Sequence, residues 1–73
     1  MSLQDKITKA AEYGRSAFYG GMMMAPALDK QFRKLIKGMK VGEGSALIAQ
    51  AWLDGFSLAQ IKDAAHDLYA VGK

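Results

Sequence analysis

Five cations fall within eleven residues of this chain: Lys30, Arg33, Lys34, Lys37 and Lys40. That density suits one chemistry above others, the neutralisation of an anionic surface. Each phosphate contacted adds to an affinity that falls as salt rises. The segment 29–40 holds a single acid, Asp29, so its net charge is five minus one, or +4, against +3 for the whole chain. Arg33, Lys34 and Lys37 share one face at helical spacing, and Lys30 and Lys40 extend it. Such a face can grip nucleic acid without reading its sequence. It can equally meet an acidic protein surface, where complementary charge raises the association rate. The bland alternative is a solvated face that keeps a small protein in solution. Lys62 is a sixth candidate cation.

Other chemistries lack their residues. His66 is the only histidine, and Asp63 can share its helix face, but a zinc site needs at least three protein ligands. No cysteine is present, and no serine, threonine or tyrosine has a basic partner to activate it, so a nucleophilic mechanism has no cast. The stretch "GMKVGEGS" lacks the Gly-Lys-Ser/Thr end of a phosphate-binding loop and carries Glu43, which repels phosphate. No enzyme, metal or cofactor is expected. Met22, Met23 and Met24 form a flexible apolar cluster that either plugs the core or offers an adaptable surface to a partner, the plug being the commoner use.

The elements that must position these residues are helical throughout. At 73 residues one domain, 1–73, is expected, with a marginal core that efficient packing, a partner or self-association as a homodimer must support. Apolar residues step by three and four through "SLQDKITKAAEYGRSAFYGG", with Ser2 as cap and Gly14 at a close helix approach. A second helix, "APALDKQFRKLIKGMK", starts at Pro26 and buries Leu28, Phe32, Leu35, Ile36 and Met39. A third, "SALIAQAWLDG", is apolar on nearly every side and reads as the buried central helix, stopped at Gly55. In a fourth, "SLAQIKDAAHDLYAVG", Ser57 and Gln60 form a capping box, Phe56 and Ile61 a hydrophobic staple, and Ile61, Ala64, Ala65, Leu68 and Val71 the inward face. Leu58, Ala59, Lys62, Asp63, His66 and Asp67 then face outward. The predicted fold is all-α: four short helices whose last two meet at a corner.

Residues 46–70, through "LDGFSLAQI", resemble the "A-x-G-x-S-x-x-x-I" turn of helix-turn-helix regulators. Ala51 takes the small-residue position, Gly55 the turn and Ile61 the buried position of the second helix. The resemblance implies DNA binding with that second helix near the major groove. It departs from the pattern on the reading surface, where Asp63 and Asp67 would repel phosphates and no Arg or Asn is placed to read base edges. "YGRSAFYGG" followed by "AWLDGF" is similar to the ribosome modulation factor family, which implies binding to ribosomes; the stretch between the two is longer here and the chain less basic.

The longest uncharged run, 16–28, contains Gly20, Gly21 and Pro26 and is shorter than the ~20 residues that span a bilayer. With no cysteine and no signal-peptide layout, a soluble cytoplasmic protein is expected, not a membrane one. Two function classes follow. One is a small regulator that binds nucleic acid (DNA), through Lys30, Arg33, Lys34, Lys37, Lys40 and Lys62. The other is a protein-interaction module, such as a phage-type inhibitor or adaptor of a larger machine, using the basic face and Met22, Met23 and Met24.

Overall fold

The computed structural model describes residues 2–40, 42 and 44–71, the last six as backbone alone. Among the described residues the chain forms three α-helices, a short 3-10 turn and no strand: α1 (Leu3–Tyr19), the turn (Pro26–Leu28), α2 (Lys30–Leu35) and α3 (Ser45–Val71). The all-α class holds, and the helix count drops from four to three.

α1 follows its sequence closely. The Ser2 hydroxyl accepts from the Asp5 amide at 3.2 Å, and Asp5 places a negative charge on the positive end of the helix. Ala10, Gly14 and Ala17 are buried, at steps of four and three. The helix stops at Gly20, whose successor Gly21 adopts a φ of 77°.

The expected corner at 54–57 does not exist: α3 runs unbroken from Ser45 to Val71. Gly55 keeps helical backbone and is buried. Its missing side chain serves proximity, since a Cβ there would collide with the Ala11 backbone, its carbonyl carbon at 2.8 Å. Gly14 does the same on α1, where a Cβ would strike the Trp52 carbonyl and come within 3.0 Å of the Phe56 nitrogen. Two glycines thus bring the main chains of α1 and α3 into contact. Phe56, expected in the loop, is buried beside Trp52, with ring centroids 5.5 Å apart and stacked, and meets Phe18 edge-on at 5.4 Å. Ser57 lies inside the helix and caps nothing there.

The face of α3 shifts accordingly. Ala59, expected outside, is 2% exposed, while Ile61, expected inside, is 63% exposed and Ala64 is also outside. Leu47 stands exposed, so α3 is not buried on all sides; Ile48 and Trp52 form its fully buried part. The side chains of His66, Asp67, Leu68 and Val71 lie outside the described residues.

α1 and α3 run in parallel. Leu3 lies against Gly44 at one end, Ala11 against Gly55 midway, and Phe18 against Phe56 beyond. A parallel pair needs a returning connection, and residues 20–44 supply it. The second predicted helix is broken there. The 3-10 turn occupies Pro26–Leu28, Asp29 adopts extended backbone, and α2 spans only Lys30–Leu35. Phe32 is buried and Leu35, Ile36 and Met39 pack on the core, but Leu28 is exposed. The core-plug reading of the methionines also fails, with Met23 72% exposed and Met22 and Met24 exposed beside it. They sit in the irregular return from α1, outside any helix that could press them inward.

Candidate nucleic-acid interface

The basic segment is held in place by its one acid. Asp29 is the N-cap of α2, its Oδ1 accepting from the Gln31 amide at 2.9 Å. Its Oδ2 accepts from the indole Nε1–H of Trp52 at 2.8 Å, across 23 residues of sequence. The carboxylate is 5% exposed and both oxygens are engaged inward. A buried charge is tolerable when it is hydrogen-bonded to this degree, and the same bonds fix α2 on α3. Phe32, three residues on and so on the same side of the turn, adds a second anchor by burial.

That arrangement sorts the charges of the segment by direction. Lys30, Arg33, Lys34 and Lys37 are exposed and together line one shallow depression of about 360 Å³. Among the described residues, no carboxylate forms an ion pair with any of these four. Among the described residues, the acid of this segment, Asp29, points into the core. The depression is therefore lined by cations alone, a surface of the kind that attracts phosphate oxygens.

Four of the six cations singled out in the sequence are thus brought together. Lys37 joins them from the turn after α2, not from a longer helix. Lys40 is exposed in the connector to α3 and does not line the depression. Lys62 belongs elsewhere: it lines a separate groove between α1 and α3 of about 760 Å³, with Ile7, Glu12, Arg15, Tyr19 and Leu58 among its walls. Sequence reading missed both Asp29 and this groove. Asp29 carried a local signal, an acid two residues before Gln31 at a helix start, but its partner Trp52 had none.

Among the described residues, no three His, Cys, Asp or Glu side chains group as metal ligands would. Among the described residues no helix is long and apolar enough to cross a membrane. Compared with known proteins, the chain matches no family model, no curated protein and no solved structure.

Proposed function

We propose that this protein is a small non-enzymatic binder of nucleic acid that holds phosphates in the depression formed by Lys30, Arg33, Lys34 and Lys37. The observation that supports the reading is the convergence of those four side chains while Asp29 turns inward. Phosphate contacts carry no sequence information directly, so binding is expected to be indifferent to base order. A reading helix set off by a corner has no counterpart, because α3 is continuous through 54–57. The helix-turn-helix mode is therefore not part of the proposal.

The test is a titration against duplex DNA and duplex RNA at about 50 and about 200 mM salt. Four phosphate contacts predict an affinity loss of about a hundredfold between the two. The double variant Lys34→Glu/Lys37→Glu should abolish binding at both. No measurable binding at the lower salt overturns the proposal. One observation favours a second reading, docking on an acidic protein surface. Met22, Met23, Met24 and Leu28 are exposed on the segment that leads into α2, giving the cations an apolar neighbour along the chain.

A further inference from the structure

The groove between α1 and α3 is separate from the basic depression and differs in character. Its floor is small and apolar, at Ala11, Gly55 and Ala59, and Ile7 and Leu58 continue it. Leu58 is 58% exposed, and Ile61 and Tyr19 stand exposed nearby in sequence or on its wall. Its charged residues are of both signs: Glu12 on α1, Arg15 on α1 and Lys62 on α3. An exposed apolar strip with mixed charge can pair with itself, whereas a strip of one sign cannot.

The spacing along the axis decides what it pairs with. Because α1 and α3 are parallel and Ala11 lies against Gly55, Glu12 stands at the level of the Trp52–Phe56 turn. Lys62 lies six to ten residues further along, or about 9–15 Å at 1.5 Å per residue. A two-fold axis crossing the groove midway between those levels passes close to Leu58. In such a pairing Glu12 of one copy reaches the level of Lys62 of the other and the reverse, Arg15 follows within one turn so that Glu12 faces two cations, and both Leu58 residues lie at the level of the axis. The molecule measures 50 × 20 × 17 Å, so this flank has room for the ~800 Å² that each partner buries in a specific complex. We infer that the α1–α3 groove is an isologous dimer face for a second copy of this chain, closed by Leu58 and by reciprocal Glu12–Lys62 pairs.

Sedimentation equilibrium over a concentration series, in the absence of nucleic acid, tests the inference. The wild-type chain should pass from monomer to dimer as its concentration rises. Glu12→Lys and Lys62→Glu should each weaken dimerisation by about tenfold or more, since each places like charges opposite one another. An equimolar mixture of the two variants should dimerise again, because both reciprocal pairs are restored only between unlike chains. Leu58→Glu, at an exposed position, should stay monomeric with an unchanged helical circular dichroism spectrum. A monomer at every concentration overturns the proposal, as does a dimer that ignores both charge changes or a mixture that fails to recover.

Discussion

Asp29 performs two tasks with one carboxylate, and the cost of losing it should exceed either alone. Asp29→Ala removes the cap of α2, worth about 1 kcal/mol, and leaves the buried Trp52 N–H without an acceptor, worth about 1–3 kcal/mol more. Chemical denaturation should therefore show a loss of about 3 kcal/mol. Trp52 is the only tryptophan, so its fluorescence reports the broken bond directly. Combining Asp29→Ala with Trp52→Phe should cost less than the two single losses summed, since the pair fails as a unit. Sequence alone made Asp29 look like a stray acid among cations. Its cap geometry was hidden by the assumption that the helix began at Pro26, and a bond spanning 23 residues leaves no local pattern. The cations themselves were legible because their chemistry needs only exposure and density.

At the scale of elements the instructive case is α3. The letters around Gly55 satisfy every local rule for a corner: a glycine to stop, a serine to cap, an apolar pair to staple. Yet Ile48, Ala51, Trp52, Gly55, Phe56 and Ala59 are all buried on one unbroken helical period, and that period outweighs the punctuation. A glycine that ends a helix and one that admits a neighbour look identical until the neighbour is known. Substitution separates the two roles. Gly55→Ala and Gly14→Ala should each destabilise the fold by about 3 kcal/mol or more, because the colliding atoms are main chain and cannot swing aside. Ser57→Ala should leave stability unchanged or raise it by about 0.5 kcal/mol, as alanine suits a helix interior better than serine. A capping serine would instead have cost about 1 kcal/mol, so thermal melts of this one variant distinguish a continuous helix from a corner. α1 was read correctly because its cap, face and closing glycines agree with one another.

Across the whole molecule a short chain is built on one glycine-lined contact between α1 and α3, and carries on its outside a basic depression and an apolar groove that runs along that contact. A chain of this size has little stability to spare, so self-association on the groove would add to it by mass action. The melting temperature should then rise with protein concentration in the wild type and stay flat in Leu58→Glu, which calorimetry at two concentrations can show. The parallel course of α1 and α3 also bears on how the chain acquires its structure. Leu3 and Gly44, like Ala11 and Gly55, are about forty residues apart, so no hairpin between neighbouring helices can nucleate the core. The chain must close that long loop before its two main helices reward it. Folding should accordingly be slower than for an antiparallel helical hairpin of equal length.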